Sequence, residues 1–400
     1  MRKNILIVYP GPIFPIDMGS KVRVYNMIKG LSQDHNVDVI AKVNKEHLSF
    51  SNINHIKNIC NNYYPILSPN KKNLFLKVFY KITYRLSCLP SSLFYSAISS
   101  YIKDVSRIAN KKIYDIIICE YWYSCTFYRK LDYRPFFVLD THDINFEKFE
   151  KNVSKNNKSC TKVKKYKNLE LKYTSFNDLI ISISQYDHDF FSSYFPLKKH
   201  IKICIGQDLS IFLNNDYKNF KKDNIILFYG NMRGKQNIDA FYRLYNQILP
   251  KILSKIPEVK LIVLGADPPE DIKKKHNGGN IIITGYVDSL QEWIARSTIM
   301  ILPLDLGGGF RTRVVEVMAM GVPVIGTNNA LNSIEMVSGE HGYITDNDEE
   351  IANYAVSLMK NNKLRKEMSV SCQNFVKERY TIEATYGKLS EYLSKINHKC

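Results

Sequence analysis

The eight cysteines of this 400-residue chain form no C-x-x-C pair. Scattered singly as Cys60, Cys88, Cys119, Cys125, Cys160, Cys204, Cys372 and Cys400, they lack zinc-site spacing and read as reduced cytosolic thiols. No apolar run reaches the roughly 20 residues that a membrane span needs. The chain enters a strand pattern at once, Asn4 to Tyr9, so no secretory signal is expected. That strand is not followed by G-x-G-x-x-G, which disfavours a dinucleotide fold of the NAD type. RNA-binding and helix-turn-helix signatures are missing too, so nucleic acid is not an expected partner. Acidic charge is in short supply: 38 Asp and Glu against 56 Lys and Arg, a formal net charge of +18.

What is present suits a soluble globular protein, with 45% apolar and 24% charged residues. The length favours two domains. The excess charge is uneven. Residues 1–200 carry 31 Lys and Arg against 16 Asp and Glu, and residues 201–400 carry 25 against 22. A first domain resting on an anionic surface would explain this. So would AT-rich codon usage, since Lys, Asn, Ile and Tyr are abundant together. Within residues 71–110, Lys71, Lys72, Lys77, Lys81 and Arg85 alternate with Leu74, Leu76, Val78, Phe79, Ile82, Tyr84 and Leu86. A basic amphipathic helix of this kind suits a membrane surface, although a core helix with a solvated basic face reads the same.

The coarse pattern is α/β. A strand at Asn4 to Tyr9 leads through a proline-broken loop to a helix that Ser20 is placed to cap, with Val22, Val24, Tyr25, Met27, Ile28 and Leu31 as its apolar positions. A strand at Val37 to Val43 completes a βαβ start, which implies a parallel sheet. Further strands are expected at Tyr114–Cys119, Phe136–Asp140 and Leu179–Ser184, the last followed by a helix at Asp187–Tyr194, with a lysine-dense loop over 148–172 leading into a helix. In the second half, strands near 225, 261, 281, 299 and 323 alternate with helices, the rhythm of a doubly wound sheet. Ligands of such sheets bind beyond the carboxyl ends of the strands. Gly230, Gly265, Gly285 and the run Gly307, Gly308, Gly309 all fall there. Ile351 to Lys395 reads as helical.

The stretch 301–327, ILPLDLGGGFRTRVVEVMAMGVPVIGT, carries the most chemistry. A buried strand closed by Pro303 runs into the glycine loop. A helix follows from about Arg311 to Met320, stopped by Gly321 and Pro323. The loop delivers bare N–H groups to the positive end of a helix, which favours an anion. Arg311 and Arg313 lie in the first turn, where cations are otherwise disfavoured, and so argue for an anionic guest. Glu316 lies roughly 7 Å deeper along the axis at ~1.5 Å per residue. That spacing suits a nucleotide sugar, with diphosphate on the N–H groups and arginines and ribose hydroxyls on Glu316.

These residues resemble the donor-site signature of the GT-B glycosyltransferases of family 4, G-x-G-T-R-x-K-x-x-E-A-M-A-x-G-x-P-V. The run here is Gly307-Gly308-Gly309-Phe310-Arg311-Thr312-Arg313-Val314-Val315-Glu316-Val317-Met318-Ala319-Met320-Gly321-Val322-Pro323-Val324. Phe310 replaces the usual Thr or Ser, Arg313 replaces Lys, and Gly308 stands where many members carry another glutamate. Ile225 to Met232, Leu261 to Gly265 and Ile282 to Asp288 resemble that family's second-domain strands, and Gly19 and Arg23 its first-strand loop in outline. Gly206-Gln207-Asp208 stands where the family shows Asn-Gly-Val-Asp. The resemblance implies two Rossmann-like doubly wound domains facing across a cleft: residues 1–206 on the acceptor side, a linker at 207–223, a nucleotide-sugar domain at 224–378, and a C-terminal helix, 379–400, crossing back to the first. It also implies retaining transfer from a nucleotide-diphospho-sugar to a sugar, lipid-linked sugar or other hydroxyl acceptor. Cell-surface polysaccharide or glycolipid synthesis is the expected setting, in the cytoplasm or on the inner face of the membrane.

His142, Arg311 and Glu316 are the expected catalytic residues. Donor binding is assigned to Gly19, Gly230, Arg233, Lys235, Gly265, Tyr286, Val287, Gly307, Gly308, Gly309, Phe310, Arg311, Thr312, Arg313 and Glu316. Gly19 would let the backbone approach the diphosphate. Arg233 and Lys235 would reach it from the opposite wall, and Tyr286 and Val287 would hold the base. His142, just past a strand end, would bond a sugar hydroxyl; pairing with Cys119 or Cys125 as a nucleophile is the weaker alternative. The D-x-D-like pairs Asp187/Asp189, Asp346/Asp348 and Asp140/Asp143 fall at no convincing nucleotide site, and positive groups already offset the phosphate charge. No metal or other cofactor is therefore expected. Two rival functions fit the same sequence: a nucleotide-sugar epimerase of this fold, and a basic membrane-surface binding protein without catalysis.

Overall fold

The computed structural model describes residues 2–68, 99–153, 160–213, 224–306 and 310–396. The chain divides into two compact units. One comprises Met1–Gly206 with Ile382–Cys400, and the other Gln207–Thr381.

The first unit is built on seven parallel strands: β1 (Asn4–Tyr9), β2 (Asn36–Val43), β3 (Asn62–Leu67), β4 (Ile116–Glu120), β5 (Phe136–Asp140), β6 (Leu179–Ser182) and β7 (Lys199–Lys202). Their order is β3-β2-β1-β4-β5-β6-β7, so the winding reverses between β1 and β4, where such sheets open a crevice. Strand β1 shows why the strands are apolar throughout. Ile5, Ile7 and Tyr9 enter one buried cluster and Leu6 and Val8 the other, because side chains alternate between two covered faces. The first cluster also takes Val24, Met27, Ile28 and Leu31 of the helix Gly19–Leu31, and Ile382, Tyr386, Leu389 and Leu393 of the chain's last segment. Gly30 permits that docking, since a Cβ there would lie 2.6 Å from Tyr386 Cβ.

Three expectations are corrected in this unit. Strands β3 and β7 were not foreseen, because their outer residues are half-exposed and Pro65 or the flanking lysines blur the apolar pattern. Within 148–172 the described residues are helical, at Asn145–Val153 and Cys160–Thr174, so helix stands on both sides where a loop leading into one helix was expected. Ser20 does not cap its helix, which starts at Gly19 after an uncapped Met18; its hydroxyl bonds Tyr9 and Tyr121 instead. Lys71, Lys72, Lys77, Lys81 and Arg85 lie outside the described residues.

The second unit carries six parallel strands: β8 (Ile225–Tyr229), β9 (Lys260–Leu264), β10 (Ile281–Gly285), β11 (Ile299–Leu302), β12 (Val324–Gly326) and β13 (Gly342–Ile344). The order β10-β9-β8-β11-β12-β13 reverses between β8 and β11. In this unit β13 escaped the expected set of strands: unlike the equally short but fully buried β12, it is half-buried at the edge of the sheet and shows no apolar run. The helices Asp348–Lys360 and Asn362–Arg379 close this unit, each started by an asparagine, Asn347 and Asn361, that accepts from backbone N–H groups. Among the described residues no helix is long and apolar enough to cross a membrane.

Candidate functional site

In the second unit β11 is completely buried and stops at Pro303. The helix after the glycine loop is Thr312–Ala319, held by buried Val314, Val315, Val317, Met318 and Ala319. It ends at Met320, and Gly321 takes a left-handed φ of 69°. A side chain at 321 would also strike Ser369 Oγ at 2.4 Å, so glycine is required there. The helix start has no side-chain cap and no acidic residue in its first turn. Its free N–H groups therefore keep their attraction for an anion. Gly307, Gly308 and Gly309 lie outside the described residues.

Arg311 immediately precedes this helix. Among the described residues its buried Nε and Nη2 have no hydrogen-bond partner, and neither does Oε2 of Glu316. Arg311 does not pair with Asp305, which Arg243 holds while also bonding Asp348 at 2.8 Å and the Asp346 carbonyl at 2.6 Å. Arg243 thus anchors the residue from which the glycine loop departs. Burial pushes the Glu316 carboxyl up to about 7, against the pull of the Tyr229 hydroxyl bonded to it and of Arg313. A half-buried cation and a buried carboxyl, each with unused capacity beside a helix start, form a site that can accept an anion and hydroxyl donors.

Arg313 behaves differently from its expected diphosphate role. Its Nη1 donates to the Tyr229 carbonyl at 2.7 Å and its Nη2 to Asn237 Oδ1 at 2.9 Å. Burial and the nearby Arg311 charge lower its pKa to about 10. Gly230 makes room for it: a Cβ at 230 would lie 1.6 Å from Arg313 Nη1. Gly265 in turn lets the Gly230 carbonyl approach, at 1.9 Å from an ideal Cβ. Arg233 and Lys235 point to other partners in this structure, exposed and paired with Asp267 and Asp239 at 2.7 and 2.6 Å. Tyr286 stands beyond the end of β10, 78% exposed, with half-buried Val287 beside it. Phe310 packs on Tyr380, ring centroids 5.5 Å apart. Thr312 is the first residue of the helix.

The first unit gathers a second polar cluster at the ends of β4 and β5. Glu120 and Asp140 are the last residues of the two strands and stand opposite each other in register. Arg23, fully buried on the helix after β1, grips Asp140 through Nε at 2.6 Å and Nη2 at 2.9 Å, and caps the Ile203 and Cys204 carbonyls. His142 Nε2 lies 2.5 Å from Glu120 Oε2. The His142 ring stacks on Tyr121 at 4.1 Å and 10°. Both residues hold left-handed backbones, φ 60° and 66°, a conformation that bulky residues keep only when their surroundings enforce it. Burial opposes the Asp140 charge, but the Arg23 guanidinium outweighs it and keeps that carboxyl below its ordinary range. Burial and the Asp140 charge push Glu120 well up. Burial takes His142 down to about 4.

Donor atoms of Glu120, Asp140 and His142 fall within 4.8 Å of one another, a spacing that would suit a cation. Arg23 already occupies both Asp140 oxygens, so an added cation would face a guanidinium. Cys119 and Cys125 are buried, Cys125 Sγ donates to Asn177 Oδ1 at 3.6 Å, and His142 Nε2 is taken by Glu120, so the structure does not bring together a cysteine–histidine pair. Gly19 starts its helix with nothing within 4 Å of an ideal Cβ, so the described residues do not themselves require glycine there. Of the D-x-D-like pairs, Asp187 serves Ser184, Asp346 serves Asn328, and Asp143 pairs with Lys148. Sequence reasoning missed Glu120, Tyr121, Tyr229, Asn237 and Arg243. For Glu120 a signal existed: an acid closing an all-apolar strand, as Asp140 closes the next.

Two parallel α/β sheets, the second with a strand, glycine loop and helix unit at its winding reversal, define the GT-B class. Residues 223–361 match the family model described as glycosyl transferases group 1. A protein of Methanocaldococcus jannaschii named as an uncharacterized glycosyltransferase is 26% identical over 430 residues, spanning 98% of this chain and 100% of that one. An uncharacterized 44.6 kDa protein in the cps region of Klebsiella pneumoniae is 22% identical over 402 residues, 96% of this chain and 98% of its own. Anabaena HepE, solved in complex with UDP, shares the fold at a TM-score of 0.65 with 13% identity, covering 99% of this chain and 100% of that chain. The chain is a GT-B glycosyltransferase, and its second unit carries a group 1 glycosyltransferase domain.

Proposed function

We propose that this enzyme is a retaining glycosyltransferase that moves a sugar from a nucleotide-diphospho-sugar to a hydroxyl acceptor. The observation that carries the donor assignment is the pair of unused buried groups, Arg311 Nε and Nη2 and Glu316 Oε2, at an uncapped helix start. The helix N–H groups and Arg311 take the diphosphate, and Glu316 accepts from ribose hydroxyls. As the bond from C1 to the leaving phosphate breaks, negative charge grows on that oxygen. Stabilising it with preorganised donors is the largest expected contribution to the rate. The acceptor oxygen bonds to C1, and its proton passes to the departing phosphate. Retention rests on the resemblance to family 4. HepE was also solved with UDP and glucose and with UDP-glucose, which supports a nucleotide-sugar donor.

Arg311 and the helix start supply positive charge without a metal, so the reaction is proposed to be metal-independent. The first-unit cluster around His142 is read as sugar-facing. The relative in a cps region supports a role in cell-surface polysaccharide or glycolipid synthesis, at the cytoplasmic face of a membrane. The test is incubation with UDP- and GDP-sugars, with and without lipid-linked sugar acceptors, followed by mass spectrometry and anomeric NMR of the product. Epimerised donor without transfer, or a product of inverted anomeric configuration, would refute the reading.

A further inference from the structure

Glu120 closes a strand of otherwise apolar residues and is completely buried. A buried carboxyl group is costly unless it is neutral or paired. Its Oε2 lies 2.5 Å from His142 Nε2 and its Oε1 has no hydrogen-bond partner among the described residues, while the carboxyl as a whole also faces Asp140, the rival acceptor for its proton. Three restraints then act on one imidazole: the left-handed backbone at His142, the stacked Tyr121 ring, and the Glu120 contact. The first two fix the plane of the ring. Only the third can fix which nitrogen carries the proton, because the state of one ring nitrogen is set by the bond made at the other. Nδ1 has no protein partner among the described residues.

We infer that Glu120 is a positioning residue that acts through His142, donating its own proton to Nε2 so that Nδ1–H is the nitrogen offered to a sugar oxygen. The inference rests on the reading of this cluster as the sugar-facing site. The neighbouring charges favour it. Asp140 stays ionised in the grip of Arg23, and a second carboxylate beside it is disfavoured. Glu120 therefore keeps its proton, in line with its raised pKa and the lowered one of His142. The other titratable groups near the ring are Asp143 with its Lys148, and the hydroxyls of Tyr9, Tyr121 and Tyr123. Near the Asp140–Arg23 pair lies Tyr386. The neutral pair carries two protons, one on Nδ1 and one shared between Glu120 and Nε2. The reverse arrangement, an ionised Glu120 accepting from Nε2–H, carries one proton fewer and makes Nδ1 a base.

The two arrangements respond oppositely to amide substitution. In Glu120→Gln the side-chain NH2 still donates to Nε2 and preserves Nδ1–H. An ionised Glu120 replaced by Gln would lose the acceptor and invert the tautomer. The experiment is ¹⁵N NMR of histidine-labelled full-length protein, with His142→Gln used to assign the signal, alongside kcat and KM for donor and acceptor. Wild type and Glu120→Gln should both show the Nδ1–H tautomer between pH 6 and 8, with kcat of Glu120→Gln within a few-fold of wild type. Glu120→Leu should mix the tautomers and lower kcat by about 100-fold, the scale of one misplaced donor, with donor KM little changed. An Nε2–H signal in wild type, or collapse of activity in Glu120→Gln, overturns the inference even where Glu120→Leu fails to fold. Lack of any transfer by wild type would count against the proposed function, not against the tautomer assignment.

Discussion

The Tyr229 hydroxyl donates a hydrogen bond to the Glu316 carboxylate. Tyr229 ends β8 and Glu316 sits in the helix after the glycine loop, so the bond ties the two strands flanking the winding reversal to one acid. It leaves Oε2 of that acid buried and bare. Replacing Glu316 by Ala removes both a binding group and a costly buried charge. Nucleotide affinity should fall by about 1.5–3 kcal/mol, the value of charge-assisted bonds. The melting temperature should hold or rise. Calorimetry with UDP and GDP checks the first claim and a thermal melt the second; unchanged affinity for both nucleotides would remove the donor assignment.

The same acid predicts a pH dependence. Its folded pKa is raised from 4.5 to about 7, so the free folded protein binds a proton that the unfolded chain releases. Glu316 therefore favours the fold at low pH, and that contribution is lost as pH rises from about 4.5 through 7. Accepting ribose hydroxyls requires the carboxylate, so binding must expel the proton. Nucleotide affinity should rise between pH 6 and 8, with a midpoint near 7. Calorimetry at pH 6.5 in two buffers of different ionisation enthalpy should report proton release. Glu316→Gln should flatten the profile, and Tyr229→Phe should move it to higher pH. A flat wild-type profile would contradict the assignment.

Arg313 and Gly230 should be energetically coupled. An alanine at 230 must push the guanidinium off the Tyr229 carbonyl and Asn237, leaving a buried cation short of partners. Gly230→Ala should cost about 1–3 kcal/mol. Arg313→Lys should cost a similar amount alone, because an ammonium cannot bridge two acceptors in a fixed plane. In the Arg313→Lys background Gly230→Ala should then cost little. Urea unfolding of the four proteins measures this, and strictly additive losses would show that the contact carries no weight.

Parallel strands buried on both faces, such as β1 and β11, were readable because that burial leaves apolar runs. The strand, loop and helix unit at 299–326 was readable because glycine and proline punctuate it. Strands β3, β7 and β13 were not, each lying at a sheet edge with half-exposed residues that break the apolar run. The candidate site shows the same divide. Arg311 and Glu316 stand in a contiguous motif. The partners that determine their chemistry, Tyr229, Asn237 and Arg243, come from other segments and meet them only through the fold. Arg313 illustrates the limit: its position suggested a phosphate ligand, while the contact that binds it lies 84 residues away in the chain.

Turnover should survive chelation. Arg311 has two buried nitrogens unused, the helix start is uncapped, and the one tight acid–histidine group among the described residues faces Arg23. Activity with excess EDTA should stay within about twofold of the untreated enzyme, while Arg311→Ala should lose about 100-fold or more, the scale of a removed transition-state donor. Complete loss of turnover on chelation, restored by Mg²⁺ or Mn²⁺, would reverse the metal-independent reading.

The uneven charge of the chain gives a test of where the enzyme works. Residues 1–200 hold 31 Lys and Arg against 16 Asp and Glu, and Lys71, Lys72, Lys77 and Lys81 alternate with large apolar side chains in the sequence. If the acceptor is lipid-linked, that half should rest on an anionic leaflet, each nearby Lys or Arg adding roughly 1 kcal/mol before screening. Codon usage would produce the same composition without any surface to meet. Flotation with liposomes separates the two causes. The protein should bind vesicles containing anionic lipid at low salt and leave them at high salt, because screening shortens the reach of the attraction. Replacing the four lysines by Gln should weaken binding without altering turnover on a soluble acceptor. Equal recovery on neutral and anionic vesicles would reduce the basic half to composition alone.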